Sequence, residues 1–181
     1  MKLEHIALSV SDYKRISIMN DIKFKPIGII HSPFKEMKGV PIQPSAAEGI
    51  EGTVEVFPEY LEGLADIDGF SHIILIYYFH LLKKTSLTVI PYLDSHAHGV
   101  FATRAPGRPN NIGFSVVELV KVESNALHIR NVDIVNGTPL IDIKPCVPQF
   151  DFNKVTKTGW LKNTIQDLAD TKDDGRFVGN E

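Results

Sequence analysis

Six segments of this chain read as strands, and little between them repeats with the period of a helix. Successive side chains of a strand point to opposite faces, so alternating apolar and polar residues describe a strand with one face on a core and the other in water. GIEGTVEVF (49–57) is the cleanest case: Ile50, Gly52, Val54 and Val56 interleave with Glu51, Thr53 and Glu55. FKPIGIIHS (24–32), FSVVELVKV (114–122), ALHIRNVDIV (126–135) and PLIDIKPCVP (139–148) also read as strands. SHIILIYYFH (71–80) is continuously apolar, which predicts a central strand covered on both faces. Only Glu123, Ser124 and Asn125 separate two of the strands, a hairpin-like turn. The set predicts a mainly β protein, a small antiparallel barrel-like domain with a few short helices.

Helical signals are confined to two places. PEYLEGL (58–64) predicts one or two turns with Pro58 at the first position. TGWLKNTIQDLADTK (158–172) places Trp160, Leu161, Ile165 and Leu168 on one face, predicting a C-terminal helix capped by Thr158. The chain therefore divides into an N-terminal extension (1–22), a β domain (23–150) and a helical tail (151–181). The extension opens MKLEHIALSVSDYKR, which resembles the first strand of a glyoxalase-type domain, with nothing later to supply the rest of that fold. Residues 73–82 form the longest apolar run, far short of the roughly 20 residues of a membrane-spanning helix. The N-terminus lacks the apolar stretch of a secretion signal. Cys146 is the only cysteine, which excludes an intrachain disulfide and a multi-thiolate metal site. These features predict a soluble, cytoplasmic protein with no membrane anchor.

The formal charge of −3 excludes a polycation that holds nucleic acid by bulk charge. There is no GxxxxGK[ST] and no GxGxxG after a strand, so a glycine-loop nucleotide cradle is unsupported. FATRAPGRPNNIG (101–113) carries the most chemistry. It holds Arg104 and Arg108 among prolines and glycines, with Asn110 beside them. Proline limits the loop before a ligand arrives, and arginine forks suit phosphates and carboxylates. In VDIVNGTPLIDIKP (132–145), Asp133, Asp142 and Lys144 lie near strand ends. Asp142 and Lys144 share a strand face and can pair, either structurally or at a site. Asp133 can accept hydrogen bonds from an amine or hydroxyl. PIQP (41–44) holds Gln43 stiffly between two prolines. His96 and His98 form an HxH without an identifiable third ligand, so no metal is assigned.

Taken in order, SPF (32–34), PIQP (41–44), GFSHIILIYYFH (69–80), GVFATRAPGRPNNIG (99–113) and DIVNGTPLIDIKPCVP (133–148) resemble the TrmO/TsaA-like family of tRNA methyltransferases over about residues 24–150. The resemblance implies a compact β homodimer that binds S-adenosylmethionine without a Rossmann fold. It also implies methylation of N6 of threonylcarbamoyladenosine beside the anticodon of tRNA. By the same resemblance Gln43, Pro44, Ser45, His80, Leu81, Arg104, Phe114, Arg130, Asn131, Val132 and Asp133 bind the cofactor. Gly107 and Cys146 stand where the family usually carries aromatic residues.

Transfer of a methyl group to an acylated exocyclic nitrogen calls for a proton acceptor. Asp142 is the first candidate and Asp133 the second; Arg108, Asn110 and Lys144 would hold an anionic part of the substrate. A patch of Arg104, Arg108, Arg130 and Lys144 would supply the local positive charge that tRNA needs. The competing readings are a small-molecule methyltransferase on the same scaffold and a non-enzymatic cofactor- or metal-binding module.

Overall fold

The structure is a computed structural model describing residues 22–151 and 154–178. The N-terminal extension, apart from Ile22, lies outside the described residues. Eight strands follow in order: β1 (Gly28–His31), β2 (Glu51–Val56), β3 (His72–Tyr78), β4 (Thr88–Val89), β5 (His98–Gly99), β6 (Ile112–Glu123), β7 (Ala126–Arg130) and β8 (Thr138–Pro145). Six of them close an antiparallel barrel in the order β1-β2-β7-β6-β3-β8, with β8 pairing back to β1. All six correspond to the segments expected from the sequence. Closure leaves no unpaired barrel edge.

Alternation decides what fills the barrel. Val54 and Val56 of β2, Val117 and Leu119 of β6, Leu127 and Ile129 of β7, and Ile30 and Leu140 of β1 and β8 point inward and are buried together. Ile73, Leu75 and Tyr77 of β3 join them. The outer face of β3 is covered only in part: Ile74 is buried, Ile76 is half-buried, and Tyr78 is exposed. A closed barrel has one interior, so a fully apolar strand must present half its side chains outward. The β6–β7 hairpin turns at Ser124, which takes a left-handed conformation with φ 56°.

Pro58–Leu64 forms a 3-10 turn with Pro58 at its start, as predicted. The tail differs from expectation in detail. Its helical segment is two 3-10 turns, Gly159–Asn163 and Ile165–Leu168, not one α-helix, and Thr158 makes no side-chain cap. Gly159 enters at φ 61°, and Thr164, at φ −123°, separates the turns. Contacts with the barrel domain decide this shape: Trp160 Nε1 donates to the carbonyl of Ala102 (2.8 Å), and its indole stacks on His98 at 4.7 Å. Residues 83–113, which carry no periodicity, contain the small β4–β5 sheet. Val89, Val100 and Ala105 form a second apolar cluster there, packed against Phe177 of the tail.

Candidate functional site

The C-terminal end of β3, the start of β6 and the β7–β8 connection meet at one end of the barrel. The PIQP segment, the 101–108 loop and the tail surround them and enclose a cavity of about 840 Å³. That volume lies within the roughly 300–1,000 Å³ typical of small-molecule sites. Among the lining residues are Gln43, Ser45, His80, Leu81, Arg104, Phe114 and Asp133, all assigned to cofactor binding from sequence, and Arg108. The tail adds Trp160, Leu161, Ile165 and Leu168, the stripe that sequence placed on one helical face.

One wall is built by contacts between distant segments. Arg104 Nη1 donates to Gln43 Oε1 at 2.6 Å, and the guanidinium lies 5.9 Å from the ring centroid of Phe114. Gln43 is a neutral partner, so Arg104 keeps its positive charge. Gln43 is itself held by a bond from Nε2 to the carbonyl of Ile42 (2.6 Å).

The floor is a polar chain set among apolar side chains. Tyr77 on β3 pairs in register with Gly113 on β6. A side chain at position 113 would put its first carbon 2.1 Å from the Tyr77 ring, so only glycine lets the ring lie across the strand. The ring's hydroxyl then reaches Ser115, two residues along β6, at 3.0 Å. Ser115 Oγ donates to Asp133 Oδ1 at 2.7 Å. Because the one hydroxyl proton of Ser115 is donated to Asp133, Tyr77 is the donor to Ser115.

No other side chain among the described residues hydrogen-bonds the Asp133 carboxylate. The cavity leaves Asp133 some accessible surface, and protein encloses it elsewhere. Burial pushes its carboxyl up to about 7, against the opposing effects of the Ser115 bond and the Arg104 charge. Burial likewise raises the Tyr77 phenol far above its usual range, with the Asp133 charge acting in the same direction. Burial holds His80 below its ordinary value, which favours the neutral ring. Thr138 Oγ1 donates to the carbonyl of Val135 (2.7 Å), so Nδ1 of His80, 3.4 Å away, is the donor to Thr138, and Nε2 remains an acceptor.

The remaining sequence-selected residues take other places. Pro44, Arg130, Asn131, Val132, Asn110, Asp142 and Lys144 do not line the cavity. Asp142 and Lys144 form an ion pair of 2.7 Å at the exposed end of β8. Arg130 is paired with Glu118 (3.0 Å). Asn131, at φ 68°, accepts the backbone N–H of Gly49 (3.0 Å) through Oδ1, and Val132 N–H donates to Ile50. Those two residues anchor the loop that carries Pro44 and Ser45. Arg108 Nη1 donates to the carbonyls of Val100 and Thr103, so it holds the shape of its own loop. Of the four basic residues, Arg130 and Lys144 are paired with carboxylates, while Arg104 and Arg108, bonded only to neutral oxygens, line the cavity. His96 and His98 both bond to Asp94 (2.9 and 3.0 Å), and the described residues contain no cluster of three or more metal-ligating side chains.

Sequence reasoning missed Tyr77 and Ser115. The available signal was a hydroxyl at an inward position of β6, between Gly113 and Val117, where alternation calls for an apolar residue.

A closed antiparallel barrel with an acid-floored, arginine-walled cavity at one end defines a ligand-binding β domain of non-Rossmann type. Residues 29–152 match the family described as the tRNA-methyltransferase O N-terminal domain, and the chain belongs to that family. It is 62% identical over 156 residues to a probable S-adenosyl-L-methionine-binding protein of Pyrococcus abyssi, covering 86% of this chain and 85% of that one. It is 36% identical over 140 residues to the tRNA (adenine(37)-N6)-methyltransferase of Escherichia coli, covering 72% of this chain and 60% of the relative. The crystal structure of TrmO from Pseudomonas aeruginosa superposes with a TM-score of 0.64 at 37% identity, covering 77% of this chain and 62% of that one. The chain thus spans about three fifths of the last two proteins. Among the described residues, no helix is long and apolar enough to cross a membrane.

Proposed function

We propose that this protein is an S-adenosylmethionine-dependent tRNA methyltransferase acting on N6 of the adenosine beside the anticodon, with threonylcarbamoyladenosine as the substrate form. It works in the cytoplasm as a homodimer. The observation that carries the reading is the convergence of Gln43, Arg104, Phe114, His80 and Asp133 on one cavity in a member of this family.

The donor set fits the cofactor. The free charge of Arg104 suits an α-carboxylate, the half-exposed Phe114 ring and the apolar wall suit an adenosyl group, and Nε2 of His80 accepts an N–H. When bound, the cofactor would supply an electrophilic methyl carbon to the substrate nitrogen, its sulfur keeping the electrons of the S–C bond. The chain's own residues do the rest. The proline-bounded loops hold the ligands in place, and positioning of this kind contributes roughly 7–11 kcal/mol to lowering a barrier. Asp133 receives the proton of the attacking nitrogen; of the two carboxylates considered from sequence, it is the one that lines the cavity, whereas Asp142 faces Lys144 at the surface. Lys83 and Lys84, exposed and following directly on Leu82, supply phosphate contacts in place of Arg130 and Lys144.

The test is isotope transfer. Protein with methyl-labelled S-adenosylmethionine and tRNA from a strain lacking this gene should label the tRNA, and nucleoside mass spectrometry should find the methyl on threonylcarbamoyladenosine. Label moving only to small metabolites would favour the small-molecule reading, and no calorimetric binding of the cofactor would reject both.

A further inference from the structure

Ser115 lies outside the motifs that resemble the family, and Tyr77 takes no assigned role within one, yet the two form a directed hydrogen-bond chain that ends on Asp133, a carboxylate lining the cavity. Ser115 is 1% exposed and Tyr77 is 4% exposed. A hydroxyl buried in the barrel costs free energy unless it is paired. Here the barrel buries two, and both bonds run toward Asp133: Tyr77 O–H to Ser115 Oγ (3.0 Å), then Ser115 O–H to Asp133 Oδ1 (2.7 Å).

We propose that Ser115, backed by Tyr77, is a positioning residue that occupies Oδ1 of Asp133 and leaves Oδ2 as the proton acceptor for the nitrogen being methylated. The inference rests on the methyltransferase reading above. Oδ2 takes the N–H proton as the nitrogen gains its methyl group, and the proton then leaves to solvent through the open cavity. The phenol end of the chain is sealed in the barrel, so the chain sets orientation and charge rather than conducting the proton away.

The groups acting on Asp133 are few. Ser115 donates to its charged form from β6, Arg104 favours that form from the 101–108 loop, and Tyr77 acts through Ser115. His80, from the end of β3, and Asp173, from the tail, line the same cavity. Loss of the Ser115 donor must therefore make Asp133 easier to protonate. A change of one unit in its pKa is a tenfold change in the charged fraction below that pKa.

The experiment compares wild type, Ser115→Ala, Ser115→Thr and Tyr77→Phe. The carboxyl of Asp133 is titrated by carbon-13 NMR in the free protein, the pH profile of tRNA methylation is measured, and S-adenosylmethionine affinity is measured by calorimetry. For Ser115→Ala, the NMR titration and the acidic limb of the rate profile should both move up by about one pH unit, with roughly tenfold less activity below the limb and cofactor affinity within about twofold of wild type. Ser115→Thr, which restores a hydroxyl, should recover both; Tyr77→Phe, which keeps the ring over Gly113, should move both by a smaller step. A rate limb that stays put while the NMR titration shifts would overturn the base assignment. A loss of cofactor affinity with an unmoved limb would overturn it too and make Asp133 a cofactor ligand. An unmoved NMR titration would remove Ser115 from the role. Wild-type protein that binds the cofactor but methylates no tRNA would sink the methyltransferase reading itself and this inference with it, a failure distinct from the others because the NMR arm needs no substrate.

Discussion

Arg104 and Gln43 meet through a single 2.6 Å hydrogen bond that joins two proline-stiffened segments across the mouth of the site. Each residue lies in a loop that sequence marks as rigid, and the bond fixes one relative to the other. Arg104→Ala removes a charged donor from the cavity wall. Hydrogen bonds to charged groups contribute about 1.5–3 kcal/mol, so cofactor affinity should fall by roughly one to two orders of magnitude. Gln43→Ala, which leaves the arginine in place, should cost less. Calorimetry on both variants checks the order, and circular dichroism should show an unchanged barrel.

Gly113 is required by the Tyr77 ring, not by a turn. Its added carbon would lie 2.1–2.6 Å from three ring atoms. Gly113→Ala should displace the ring from Ser115 and destabilise the fold by about 1–3 kcal/mol, as overpacked cores do. Urea denaturation reads the loss. A variant as stable as wild type would mean that the ring has another place to go.

Asp133 links stability to pH with a definite sign. Its folded value of about 7 stands above the ordinary 3.8, so the folded protein binds the proton more tightly than the unfolded chain does. Its contribution is fully present below about 3.8 and is lost as pH rises through about 7. Asp133→Asn should therefore melt at a higher temperature than wild type at pH 8, with the advantage shrinking as pH is lowered toward 4. Thermal scans across that window decide the matter. A pH-independent difference would place the cause in packing rather than charge.

Trp160 ties the tail to the cavity through its stack on His98 and its bond to Ala102. Trp160→Ala should release the wall formed by Leu161, Ile165 and Leu168 while the barrel core, which lies elsewhere, stays intact. The expected result is cofactor affinity lowered by about tenfold, a loss of about 1.4 kcal/mol, with little change in the urea midpoint. An unaltered affinity would show that the tail is a bystander to binding.

Sequence determined the barrel strands: Val54 and Val56 must face inward once Glu51 and Glu55 face water, and the continuously apolar run at 71–80 marks β3 without alternation. Sequence also marked Gln43, His80, Arg104, Phe114 and Asp133, because proline-bounded loops and strand ends advertise themselves and because their motifs resemble a known family. It could not sort equals. Asp133 and Asp142 are both carboxylates near strand ends, and only register sends one to the cavity and the other to Lys144. Arg130 looks as available as Arg104 until its partner Glu118 is seen across the strands, whereas the Asp142–Lys144 pair was legible from their spacing on one strand. The tail's apolar stripe was legible, but its shape was not, since contacts with His98 and Ala102 outweigh a weak helical preference in so short a segment. Ser115 and Tyr77 were hidden for the same reason: a strand's period tells which face a side chain takes, and only barrel closure tells which distant group it meets there.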